Sequence, residues 1–80
     1  MVDWLDEDPT LASKAFGARM KEVRATRGMS QDGLSRATDV HPTAIGRMER
    51  GAREPRLTTI LRIARGLDVK PGELLDGLED

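Results

Sequence analysis

Phe16, Met20 and Val23 recur at i, i+4 and i+7 and mark one apolar stripe, which predicts a helix over residues 13–27. Gly28 follows it and suits a left-handed helix stop. Ser30 suits the N-cap of a second helix over residues 31–38, with Leu34 and Ala37 turned inward. The turn Asp39-Val40-His41 leads to a third helix over residues 42–50, where Ile45, Met48 and Glu49 share a face and Gly51 is placed to end it. Beyond a polar loop at 52–56, Ile60, Leu61 and Ala64 predict a fourth helix over residues 57–66. Leu74 marks a short fifth helix over about 71–75. No alternating run is long enough for a strand. The expectation is an all-α, compact five-helix fold.

Proline and glycine punctuate this pattern rather than contradict it. Asp39-Val40-His41-Pro42 and Asp68-Val69-Lys70-Pro71 repeat D-V-x-P between helices. Proline is tolerated at the first helical position because its missing N–H would have no partner there. Pro42 therefore starts the third helix. Eighty residues make one domain with a modest core. The expected division is an acidic extension over residues 1–12 and a helical domain over residues 13–78. Trp4 and Leu5 of the extension either dock on the domain, join a dimer interface or belong to a disordered tail.

Net charge is −1, but it is unevenly spread. Residues 1–8 and 76–80 hold seven of the fourteen acids and none of the thirteen Lys and Arg. Residues 9–75 thus set thirteen basic groups against seven acidic ones, a formal +6. A basic centre of this kind suits a polyanion. With no cysteine there is neither a disulfide frame nor a thiolate nucleophile, and no apolar run spans a membrane. The acidic start does not fit a signal peptide, and a cytoplasmic location is expected. A single histidine and no recognisable carboxylate cluster argue against an enzyme, a metal or a cofactor. Scarce aromatics disfavour a single-strand stacking platform.

Two helices joined by a three-residue turn are a helix-turn-helix candidate. The stretch GMSQDGLSRATDVHPTAIGRMERGAREPRLTTILRIARGLDVKPGELL carries Ser30-Gln31, Leu34, Val40, Ile45, Glu49-Arg50-Gly51, Pro55 and Ile63-Ala64 in order. With these spacings the chain resembles the lambdoid-phage-repressor-like, Cro/C1-type (XRE) helix-turn-helix family over about residues 15–75. The resemblance implies a lambda-repressor-like domain that binds double-stranded DNA, usually as a homodimer on a two-fold operator, in a bacterial or phage-encoded regulator. It places Pro42, Thr43 and Arg47 on the groove-facing side of the third helix, with Gly46 beside them. It puts Gln31 near phosphate or a base edge, and Arg50, Arg53 and Arg56 near phosphate. It also implies a structural pair between Arg24 and Glu49.

The residue chemistry is compatible with those roles. Arg47 can offer two parallel bonds to guanine O6 and N7. Thr43 offers a hydroxyl and a methyl. Gly46 leaves room for close approach either to DNA or to a neighbouring helix. Arg24 and Glu49 place one charge on each of two inward stripes, as a partly buried pair would.

Several residues depart from the family pattern. Asp39 and Asp68 stand where glycine is usual, at a backbone cost. His41 and Arg56 replace serine caps, and His41 either caps the helix or approaches phosphate. Ser35 replaces a small alanine, and Gly33 a longer helix former. Leu67, Val69, Leu75 and Leu78 suggest a dimer patch near the fifth helix, the alternative being that they belong to the hydrophobic core of the monomer. The leading expectation is a sequence-specific transcriptional regulator, either a phage-type repressor or a restriction–modification controller protein. The alternative is an antitoxin or another module that binds a partner protein.

Overall fold

The computed structural model describes residues 11–78, which form five helices. They are α1 (Leu11–Thr26), α2 (Gln31–Thr38), α3 (Pro42–Glu49), α4 (Leu57–Leu67) and α5 (Pro71–Leu75). The first helix thus begins two residues before the expected position, and α4 extends one residue further, to Leu67. The readings on Trp4, Leu5 and the acidic residues 1–8 lie outside the described residues, as do those on Glu79 and Asp80.

Local chemistry sets the helix limits. Ser30 Oγ accepts from Gly33 N at 2.9 Å and opens α2. Pro42 and Pro71 occupy the first turns of α3 and α5. Three helices close through paired backbone bonds around a left-handed residue. Met29 N donates to Arg24 O and Gly28 N to Ala25 O at the end of α1. Ala52 N donates to Arg47 O and Gly51 N to Met48 O at the end of α3. Val69 N donates to Ala64 O and Asp68 N to Arg65 O at the end of α4. Asp39 and Asp68 adopt φ values of 64° and 58°, the two positive-φ non-glycine residues among those described.

The core joins Phe16 and Met20 of α1, Leu34 of α2, Ile45 and Met48 of α3, Ile63, Ala64 and Leu67 of α4, and Leu74 of α5. Helix α1 packs on α3 and α5, α2 packs on α3 and α4, and α4 packs on α5. Two of these approaches require glycine. A Cβ on Gly17 would run into the carbonyl oxygens of Met48 and Glu49, and one on Gly66 into Thr38 Cγ2. A side chain at Gly51 is excluded twice, by its φ of 72° and by Lys14 Cα, 2.7 Å from where a Cβ would sit.

The inward assignments need correction at two helices. Ala37 is exposed, and its neighbour Thr38 is buried instead. Burial of this hydroxyl is made tolerable by two bonds: Thr38 Oγ1 donates to Leu34 O at 2.7 Å and accepts from Val40 N at 3.2 Å. On α4, Leu61 is 43% exposed, while Ile63 and Leu67 are fully inward. The face of α4 is thus rotated from the expected one, because α2 and α5 both pack on it. Leu67 is 1% exposed and belongs to the core, so it cannot contribute to a dimer patch. Val69 and Leu78 are half-buried against the same core, and Leu75 remains open.

Candidate nucleic-acid interface

The turn between α2 and α3 is short because Asp39 reverses the chain in the left-handed region, its N–H bonded to Ser35 O. Val40 then packs on the core. His41 Nδ1 accepts from Thr43 N at 3.1 Å and caps α3. This cap needs a neutral ring nitrogen as acceptor. The structure therefore commits one face of His41 to the cap, the role that its replacement of serine made doubtful in sequence.

Helix α3 divides cleanly. Ile45, Met48 and Glu49 are buried; Pro42, Thr43 and Arg47 are exposed, and so is the C-cap residue Arg50. Gly46 departs from the expected open position, since it is buried despite lying toward the outward side. Arg53 and Arg56 continue the exposed basic series beyond the helix. They line a cleft of about 230 Å³ with Val40, Ala44, Met48, Pro55 and Thr59, bordered by the start of α4. Arg56 supplies no side-chain cap there. Uncapped N–H groups and nearby guanidinium groups suit an anion such as a phosphate.

Seven of the ten arginines bear on this surface or on the packing beneath it, in two sets; Arg36, Arg62 and Arg65, elsewhere on α2 and α4, make no ion pair among the described residues. Arg19 Nη1 donates to Glu73 O at 2.7 Å, and Arg27 Nη2 to Asp68 O at 3.1 Å. Arg24 grips Glu49. Those three hold helices or their ends together. By contrast, Arg47, Arg50, Arg53 and Arg56 make no ion pair among the described residues. Their donors are open to an external acceptor.

Beneath this surface, Arg24 Nε and Nη2 donate to the two Glu49 oxygens at 2.6 and 3.0 Å. Arg24 Nη1 also donates to Met29 O at 2.8 Å. The hydrogen bond and charge of Glu49 raise the Arg24 pKa, outweighing the lowering effect of burial. Glu49 Oε1 accepts in addition from Gln31 Nε2 at 2.9 Å. Gln31 is exposed, yet one of its donors is already engaged. It is left with a second N–H and a carbonyl oxygen for any external contact.

The sequence reading missed the inward glycines. Gly17 lies beside Phe16 within the apolar stripe, and that placement was the available signal. The Gln31 bond to Glu49 had no such signal, because it depends on how α2 meets the end of α3.

A second surface adjoins this one at Pro55. Ala12, Phe16, Pro55, Ile60, Leu75 and Leu78 line an apolar groove of about 210 Å³. Leu57 and Leu61 are exposed on α4, and Leu11 is exposed at the start of α1.

Residues 20–74 match the family model for helix-turn-helix domains (HTH_3). Over 62 residues the chain is 39% identical to the control protein C.BamHI of Bacillus amyloliquefaciens, covering 76% of each. Its fold superposes with a TM-score of 0.79 on the restriction–modification controller protein C.AhdI from Aeromonas hydrophila, at 35% identity. That match covers 81% of this chain and 98% of the other. A second crystal structure, of the clp gene regulator ClgR from C. glutamicum, gives a TM-score of 0.78 at 26% identity, over 82% of this chain and 86% of that one.

Proposed function

The chain belongs to the Cro/C1-type helix-turn-helix (HTH_3) family, and from that premise we propose that it is a sequence-specific regulator of transcription of the controller-protein kind. It binds a two-fold DNA operator as a homodimer, with α3 in the major groove. The observation that carries this reading is the unspent outward face of α3 and the loop after it. Thr43 and Arg47 are exposed on the helix, Arg50, Arg53 and Arg56 follow, and none of these arginines is paired among the described residues.

Each residue has a role in this reading. Arg47 reads a guanine edge, and Thr43 a neighbouring base or phosphate. Pro42 sets the first turn of α3 against the groove. Arg53 and Arg56 hold phosphates beside the start of α4, and Gln31 offers its remaining N–H to another. His41 acts through its cap on α3 more than through a phosphate. Arg24 and Glu49 fix the tilt of α3 and touch no DNA.

The dimer face is the apolar groove and the leucines around it, not the set first expected. Leu75 and Leu78 stay in it, and Leu57 is added, since it is 69% exposed on a helix that also lines the groove. Leu67 is excluded. A dimer on a two-fold operator places its recognition helices one DNA turn apart, about 34–36 Å.

Selection of bound sites from random duplex DNA, followed by footprinting, tests this reading. The expected result is a short, two-fold symmetric site protected on one face. Recovery of no enriched sequence would contradict it.

A further inference from the structure

Gly46 poses a question that the helix-turn-helix assignment leaves open. Glycine in the middle of an eight-residue helix is a poor helix former. No neighbouring helix demands it. A Cβ built on Gly46 meets one group within 4 Å, the guanidinium nitrogen Nη1 of Arg50, at 3.2 Å. The side chain of Arg50, one turn further on, thus reaches back over the position that a side chain at Gly46 would take.

The geometry follows from the helix itself. Arg50 is the C-cap of α3, still in helical conformation at φ −82° and ψ −3°, and its N–H bonds to Gly46 O. Helical side chains lean toward the N-terminus, over the residue four positions back. A methyl at Gly46 would press on this guanidinium at 3.2 Å and push it outward by a few tenths of an ångström. Arg50 is seven residues from Thr43, two turns along the same face. Its head, over Gly46, thus lies at the border of the face that carries Thr43 and Arg47. It has no ion pair among the described residues, so its planar fork of donors is uncommitted.

We infer that Arg50 is a second base-reading residue of this chain, and that Gly46 is the positioning residue that seats it. The target is a guanine edge presenting O6 and N7 in the major groove. The inference rests on the proposed placement of α3 in DNA. It removes Arg50 from the phosphate contacts to which the family resemblance assigns it, and it gives Gly46 a role through Arg50 rather than through direct contact.

The test uses the full chain and the site it selects from random duplex DNA. Affinities are measured for that site and for its single-base-pair variants, with the wild type, Arg50→Lys, Arg50→Ala and Gly46→Ala, after thermal melting confirms that each is folded. Arg50→Lys keeps the charge but loses the fork. Arg50→Ala is expected to reduce the preference at one base pair of each half-site by about 5- to 150-fold, with the order at other positions intact, and Arg50→Lys, whose ammonium still donates to O6 and N7 without the fixed fork, by less. Gly46→Ala melts no lower than the wild type yet weakens the preference at that same base pair. The inference is overturned if Arg50→Lys leaves every base preference within about twofold while Arg50→Ala weakens all sequences equally and flattens the salt dependence. Arg50 is then a phosphate ligand, and the DNA-binding reading stands. If the wild type selects no sequence at all, both readings fall together.

Discussion

Gln31 donates a hydrogen bond of 2.9 Å to Glu49 Oε1, the oxygen that Arg24 Nη2 also reaches at 3.0 Å. The first residue of α2 is thereby tied to the same carboxylate that joins α1 to α3. The Glu49 side chain is 3% exposed and that of Arg24 14%, so either charge left alone would be poorly solvated. Glu49→Ala is expected to cost on the order of 3–5 kcal/mol of stability, read by urea denaturation. Arg24→Lys should cost less, because it keeps a charge but loses the two-pronged grip. A loss below about 1 kcal/mol for Glu49→Ala would mean that the pair does not hold α1 to α3.

The sequence disclosed the helices where a local rule sufficed. The apolar stripe of Phe16 and Met20, the glycines after α1 and α3, and the prolines that open α3 and α5 each act within a turn or two. It was less legible where burial depends on a partner helix. Ala37 and Thr38 are adjacent and both lie near Gly66, and the way α2 meets α3 and α4 turns Thr38 inward. Leu61 and Leu67 are equally apolar, and it is α2 and α5 that select Leu67. At the interface, the exposure of Thr43 and Arg47 followed from the position of Ile45 and Met48. The folding of Arg50 over Gly46 did not, because a side chain's path is not written in periodicity.

The two glycine contacts should be separable by one compensating change. Gly17→Ala places a methyl against the backbone carbonyls of α3, which cannot yield without moving the helix, and should destabilise by roughly 1–3 kcal/mol or more. Gly66→Ala meets instead the methyl of Thr38. Thr38→Ser removes that methyl and keeps the hydroxyl bonds. In the Thr38→Ser background, Gly66→Ala should therefore cost less than it does alone. A double-mutant cycle by thermal melting measures this, and strict additivity would contradict the contact.

Asp39 and Asp68 hold left-handed backbone conformations that glycine adopts without steric penalty. Replacing either with glycine relieves strain but raises the entropy of the unfolded chain, effects of opposite sign. Relief is expected to win by roughly 0.5–1 kcal/mol at each site, with additive gains in denaturation. A fall in stability for both variants would show that the aspartates are better accommodated than their φ values imply.

Leu75 and Leu67 separate the dimer face from the core. Leu75→Glu alters an open side chain, whereas Leu67 is 1% exposed. Sedimentation should show Leu75→Glu folded but weakly associated. Leu67→Ala should lower stability by about 2–5 kcal/mol through a core cavity. A Leu75→Glu variant that dimerises as tightly as the wild type would move the dimer face elsewhere.

Arg53 and Arg56 are expected to contribute through charge alone. Either alanine variant should weaken binding to all duplex sequences alike and reduce the slope of log K against log salt by about one. An unchanged slope would remove that arginine from the phosphate contacts.

The most direct measurement is the affinity of Arg47→Ala for the selected operator and for each single-base-pair variant, with folding verified by melting. Arg47 is exposed on α3 and pairs with nothing among the described residues, so its loss should leave the fold intact. If α3 reads the major groove, the variant stays folded and loses about 1–3 kcal/mol of discrimination at one base pair in each half-site. If its affinity for every sequence matches that of the wild type, α3 does not read DNA through Arg47, and the recognition helix has been misassigned.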